Sequence, residues 1–182
     1  MLGTVVSSRL QQDFMDELGW EVWPSGLALG PHGWLQTLNF VVLGALLFAF
    51  AVAVRAVAAR NQWVRVAPWL VALAGVGALL LGFETDPPGE SSWHGTIHAA
   101  GYFTWIVSLL VSYPLTWWRL RHDAVWAQQR WPLLAPLLLF PPAFLLPDDD
   151  AAGNSVFFAV ALTPLAAIAA RMTVGSARSR RT

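Results

Sequence analysis

Residues 35–58 read LQTLNFVVLGALLFAFAVAVRAVA, an apolar run whose only charge is Arg55 near its end. A helix needs roughly 20 residues, at about 1.5 Å rise each, to cross a hydrocarbon core of about 30 Å. The run therefore predicts a membrane-spanning helix. The composition of the whole chain agrees, because 56% of its residues are hydrophobic and only 12% are charged, which is typical of a membrane protein.

Four more apolar segments follow the first one along the chain. They cover about 66–83, 97–118, 131–147 and 154–172, and short polar connections separate them. The fourth segment is rich in proline, which removes backbone hydrogen-bond donors and kinks a helix. We predict an all-α fold, a polytopic transmembrane helical bundle of about five spans that forms one compact domain.

The charges along the chain predict how this bundle is oriented. Ten of the eleven basic residues flank the first connection, the third connection or the C-terminal end. They are Arg55, Arg60, Arg65, Arg119, Arg121, Arg130, Arg171, Arg178, Arg180 and Arg181. Short loops rich in arginine stay cytoplasmic. We therefore predict an external segment at 1–33, a five-span domain at 34–174 and an Arg-rich cytoplasmic tail at 175–182, in a multi-pass protein of the plasma membrane.

Two residue types are missing from the sequence, and their absence narrows the chemistry. Without cysteine there are no disulfides, thiolate metal sites or cysteine nucleophiles, and without lysine there is no Schiff base or Gly-Lys-Ser/Thr phosphate loop. The membrane class also argues against nucleic acid as a partner. The bilayer is the expected partner, with the Arg-rich tail held at an anionic inner leaflet.

The connection between the second and third spans holds the candidate site. Residues 84–98 read ETDPPGESSWHGTIH, and the predicted orientation places them on the outer face. The Asp-Pro-Pro-Gly sequence at 86–89 ends the second span, and Ser91 or Ser92 is a suitable N-cap for the third helix. His94 and His98 are four residues apart, so they share one helix face with Cβ atoms about 5 to 6 Å apart.

Several kinds of site fit this stretch. Asp86, His94 and His98 have the chemistry to hold zinc or another divalent ion with a bound water, and the same trio has the chemistry to relay protons without a metal. Alternatively, the two histidines hydrogen-bond Asp86 in a structural latch. Haem is disfavoured, because two histidines one turn apart cannot clamp one iron from both faces, so His32 would have to pair with His98.

Two sequence blocks resemble the DUF998 family of polytopic membrane proteins, and together they extend the resemblance over most of the chain. The first block is SGLALGPHGWLQ at 25–36, continuing to Asn39 and Phe40. The second is Asp-Pro at 86–87 followed by Ser-Trp-His-Gly at 92–95 and by His98. The resemblance implies six spans, so we expect that a further span precedes residue 1. It also implies Ser25, Asp86, His94 and His98 as candidate site residues, but no activity.

Three functions remain open at this point. The preferred one is a structural or interaction role with an outward-facing Asp/His cluster. The second is a membrane-embedded, metal-dependent hydrolase that acts on a lipid-like substrate at the outer leaflet, with Asp86, His94 and His98 as metal ligands and Ser25 as a polar partner. The third is transport or binding of a small molecule. Metal content separates the first two, because the hydrolase needs a divalent ion and the latch does not.

Overall fold

A computed structural model describes residues 6, 9–18, 25–58, 66–87, 89–120, 133, 134, 136, 138 and 162–170. The helices in this part are α1 (Gln12–Leu18), a short 3₁₀ helix (Gly26–Leu29), α2 (Gly33–Ala58), α3 (Val66–Leu80) and α4 (Trp93–Leu120). Residues 162–170 are helical as well, and the described residues contain no strand. The prediction of an all-α chain is confirmed for these residues.

The first three predicted spans correspond to α2, α3 and α4. Two helices in the described part are long and apolar enough to cross a membrane, Gly33–Arg55 and Trp93–Trp118, and Val66–Leu80 is a shorter apolar helix. Helix α4 continues through Pro114 without a break. The fourth and fifth predicted spans lie largely outside the described residues.

The core is built around α3, which packs against both α2 and α4. Its alanines Ala74 and Ala78 are fully buried, opposite the large side chains of Trp105 and Tyr113 on α4. Leu165 and Ile168 from the helix at 162–170 join the same cluster, so this helix also packs onto the core. Small residues on α3 facing aromatic residues on α4 allow a close helix pair to fill its interface.

The closest approach of α3 and α4 is at Gly77. A Cβ atom built on this residue would meet the backbone nitrogen of Trp105 and lie 2.7 Å from the carbonyl oxygen of Gly101. Only a residue without a side chain fits where two helix backbones come this close. Gly77 therefore fixes the distance between the two helices whose ends carry the candidate site.

The outer faces of these helices are apolar. Among the most exposed side chains are Trp34, Leu46, Val52, Phe103 and Trp93, each between 62% and 69% exposed. In the most apolar 18-residue windows of the two long helices, only 22% and 39% of the residues are buried. The core helix of a soluble protein is mostly buried, whereas most residues in these two windows are not.

Candidate functional site

Polar side chains gather at one end of the bundle, where α2 and α4 begin and α3 ends. We call this region the polar end and define it by Gln11, Gln36, Asp86, His94 and His98. Three of these side chains are buried, Gln11 at 2%, Gln36 at 0% and His98 at 7% exposure. At the opposite end of the helices, the guanidinium of Arg55 lies 5.1 Å from the ring centre of Trp69. The two ends of the bundle therefore differ in chemistry.

The carboxylate of Asp86 accepts two hydrogen bonds from Ser92 and so holds the connection between α3 and α4. The backbone N–H of Ser92 donates to Oδ2 at 2.9 Å, and the Ser92 hydroxyl donates to Oδ1 at 2.5 Å. These bonds lower the pKa of Asp86 from its ordinary value of 3.8, the hydroxyl bond most, and the nearby His94 and His98 lower it further. The carboxylate is thus held in its charged form at the start of α4, where the helix dipole also favours a negative charge.

Ser92 is the N-cap of α4 and the bridge between Asp86 and His94. Its Oγ accepts a hydrogen bond from the Gly95 N–H at 3.1 Å and lies 2.8 Å from Nδ1 of His94. An N-cap hydroxyl that accepts a bond from the third helical residue is the usual arrangement. We call Asp86, Ser92 and His94 the loop latch. Ser92 was predicted as a cap, but its bonding to Asp86 was not expected from the sequence.

Gly95 makes room for the loop latch. A Cβ atom built on this residue would overlap the carboxylate of Asp86 at both oxygens and at Cγ. Gly95 is buried in the first turn of α4, directly against that carboxylate. Any larger residue would have to displace Asp86 from Ser92. Steric contact with Asp86 therefore explains why glycine follows His94 in the second sequence block.

The partners of His94 decide which ring nitrogen carries the proton. Nδ1 lies 2.8 Å from Ser92 Oγ, 3.3 Å from the Glu84 carbonyl oxygen and 3.7 Å from Asp86 Oδ1. The Ser92 proton is already donated to Asp86, so all three neighbours are acceptors toward the ring. Nδ1 therefore carries hydrogen and donates, and Nε2 of the neutral ring is an acceptor. With a side chain that is 36% exposed, His94 is the accessible member of the loop latch.

His98 has the same proton arrangement but a different partner. Its Nδ1 lies 2.8 Å from the carbonyl oxygen of Phe83, which can only accept, and Phe40 packs edge-on to the ring with centres 6.2 Å apart. The latch hypothesis had both histidines bonding Asp86. The described residues show neither direct bond, because the carbonyl at the end of α3 reaches the His98 ring instead and His94 is linked to Asp86 only through Ser92. In the neutral ring, Nε2 of His98 is then an acceptor.

The two histidines have the chemistry of metal ligands, but the described part of the chain brings no third ligand to them. An imidazole that donates Nδ1–H to an oxygen and offers Nε2 is the usual metal-ligating form. Within the described ranges, however, no three His, Cys, Asp or Glu side chains are grouped so as to hold one ion. Asp86 is turned toward Ser92. The metal site of Asp86, His94 and His98 stays a prediction.

Ser25, the other candidate, belongs to a different part of the polar end. It precedes the 3₁₀ helix, and its side chain makes no capping hydrogen bond there. No hydrogen bond between described residues joins it to Asp86, His94 or His98. The residue that organises this region is Gln11, whose Nε2 donates to the Leu27 carbonyl at 3.0 Å and whose Oε1 accepts from the His32 N–H at 3.2 Å. Sequence reasoning missed Gln11, because a glutamine before the first apolar run carries no pattern that distinguishes it.

Together, the fold and the site define a bundle of apolar helices with a polar end closed by an Asp–Ser–His latch. A family model described as protein of unknown function (DUF998) matches residues 21–177, and the chain belongs to that family. The resemblance seen in the sequence is thereby confirmed. No curated protein and no solved structure matches the chain.

Proposed function

We propose that this protein is a multi-pass protein of the plasma membrane with a structural or interaction role, and that its polar end faces outward. The membrane placement is supported by two helices of sufficient length and by the apolar side chains on their exposed faces. The orientation is supported by the arginines, since Arg55 lies at the end opposite the loop latch and positive residues stay inside.

The observation that carries the proposed role is the loop latch. The hydrogen bonds of Asp86 and Ser92 in the latch join the two residues to each other and to the first turn of α4. Such bonds hold the connection between α3 and α4 in one conformation, and they occupy the carboxylate and hydroxyl groups that a reaction would otherwise use. The latch holds Trp93 and His94 at the surface, where they are 69% exposed and half-buried respectively. A fixed aromatic and imidazole pair of this kind suits contact with lipid headgroups or a partner protein.

Cysteine labelling tests the orientation cleanly, because the native chain contains no cysteine. We expect Ser91→Cys, an exposed position beside the loop latch, to react with a membrane-impermeant maleimide in intact cells. Ser179→Cys in the C-terminal tail is expected to react only after the cells are permeabilised. The reverse pattern would contradict the outward-facing polar end, and the unsubstituted chain serves as the blank.

One observation favours a second candidate function, a metal-dependent hydrolase that acts on lipid-like molecules. Both histidines donate Nδ1–H to oxygen and offer Nε2, as ligands of zinc do. A third ligand would have to come from a rearranged Asp86 or from outside the described residues. With the metal bound, the ion would supply an activated water, and His94 and His98 would hold it.

Metal content of purified protein separates the two functions. For the structural role we expect elemental analysis of untagged, detergent-purified protein to find no bound divalent ion. The hydrolase instead requires close to one ion per chain, lost in the His94→Ala/His98→Ala variant. The same preparation of the double variant is the matched control, and metal bound equally by both proteins would count against these histidines as ligands.

A further inference from the structure

Gln36 is a buried polar side chain whose hydrogen-bonding capacity is unused. It is 0% exposed, and neither Oε1 nor Nε2 has a hydrogen-bond partner within the described part of the chain. A buried amide without partners is costly, because its hydrating water is removed and nothing replaces it. Native proteins seldom leave such groups unpaired. The amide is therefore available to a partner other than the described residues.

Gln36 lies one helical turn from Phe40, the residue of α2 that packs against His98. Gln36 and Phe40 are four residues apart on α2, on one helix face and about 6 Å apart along the axis. Phe40 is buried and packs edge-on to His98 on α4. Helical side chains lean toward the N-terminus of their helix, so Gln36 extends from Phe40 toward the polar end. Phe40 is therefore a common neighbour of Gln36, one turn away on α2, and of His98 on α4.

The hydrogen-bonding groups at this place select the kind of ligand. Gln36 offers two N–H donors and one carbonyl acceptor, and the neutral ring of His98, with Nδ1–H donated to Phe83, offers Nε2 as an acceptor. A hydroxyl group fits both residues, since one oxygen accepts from the amide and its hydrogen is donated to the imidazole. An anion would face two acceptor atoms and the nearby charged Asp86.

We propose that Gln36 and His98 form a buried site at the polar end that binds the hydroxyl group of an uncharged alcohol. The headgroup of a neutral glycerolipid and a free polyol both carry this group. The site uses none of the loop-latch residues, so it does not depend on the role proposed above for that latch. The proposal thereby places a ligand-binding residue, Gln36, in the first sequence block at 25–36.

Thermal unfolding of the full chain in detergent, followed by tryptophan fluorescence, tests this proposal. The probes are 1-monooleoylglycerol, methyl oleate as the same chain without hydroxyl groups, and glycerol as the free polyol. We expect 1-monooleoylglycerol or glycerol at about 100 times its Kd to raise the unfolding temperature by roughly 5 to 10 °C. Methyl oleate is expected to give no shift. A shift with glycerol identifies a free polyol as sufficient, and a shift with the lipid alone identifies a headgroup.

Two variants make the result specific to Gln36. Gln36→Leu removes the amide with little change in volume and is expected to abolish the shift, while the protein without probe unfolds at an equal or higher temperature because a buried unpaired group is gone. Gln12→Leu replaces an exposed glutamine of α1 and is expected to keep the full shift. The proposal is overturned if neither hydroxyl probe shifts the wild type, if methyl oleate gives the same shift, or if Gln36→Leu keeps the shift.

Discussion

Replacing Gly77 by alanine is expected to lower the free energy of unfolding by about 3 kcal/mol, the upper part of the usual range for overpacked cores. The added methyl group would meet the backbone nitrogen of Trp105 and lie 2.8 Å from its Cα, and the Gly101 carbonyl oxygen is equally close. These atoms belong to the backbone of α4, which cannot move aside as a side chain does. Helices α3 and α4 have to separate, and the packing of Trp105 against Ala74 and Ala78 loosens with them.

The measurement for Gly77→Ala is thermal or denaturant unfolding in detergent, with gel filtration to show that the protein is still monodisperse. The matched control is Val76→Leu, which adds one methylene at the neighbouring, exposed position of α3. We expect this control to change stability by less than about 0.5 kcal/mol, as surface substitutions do. If Gly77→Ala were as stable as the control, the conclusion that α3 and α4 approach closely at Gly77 would be wrong.

Replacing Gly95 by alanine is expected to destabilise the protein by about 1 to 3 kcal/mol, again as overpacking of a buried site. The reason is different, because the methyl group would overlap the carboxylate of Asp86 and push it away from Ser92. In an ordinary helix the same change is favourable by about 0.5 to 1 kcal/mol, since alanine is the better helix former. The sign of the effect therefore reports on the loop latch.

A double-mutant cycle with Asp86→Ala shows whether Gly95 acts through this carboxylate. All three atoms closest to a Cβ at residue 95 belong to the Asp86 side chain beyond its own Cβ. Once they are removed, Gly95→Ala is expected to be neutral or stabilising. The unfolding temperatures of the wild type, both single variants and the double variant complete the cycle. Equal destabilisation by Gly95→Ala in both backgrounds would contradict the arrangement of the loop latch.

Much of the described fold follows from the sequence. Apolar runs of about 20 residues can satisfy their backbone groups in an apolar surrounding only as helices, and α2, α3 and α4 lie where those runs predict them. The N-cap at Ser92 and the shared helix face of His94 and His98 also follow, because both depend on local geometry alone.

The partners of these residues were decided by the tertiary structure. Which acceptor reaches the His98 ring depends on where α3 ends relative to α4, and the carbonyl of Phe83 is the group that arrives there. The fully buried amide of Gln36 and the two bonds of Gln11 to the chain before α2 likewise depend on helix packing. Hydrogen-bond directions follow from the relative position of elements distant in the chain, and a local sequence pattern does not contain that information. The sequence alone thus determined the helical class and singled out Asp86, His94 and His98 as candidates, while the packing of α2, α3 and α4 added Gln11 and Gln36 and decided which groups bond to one another.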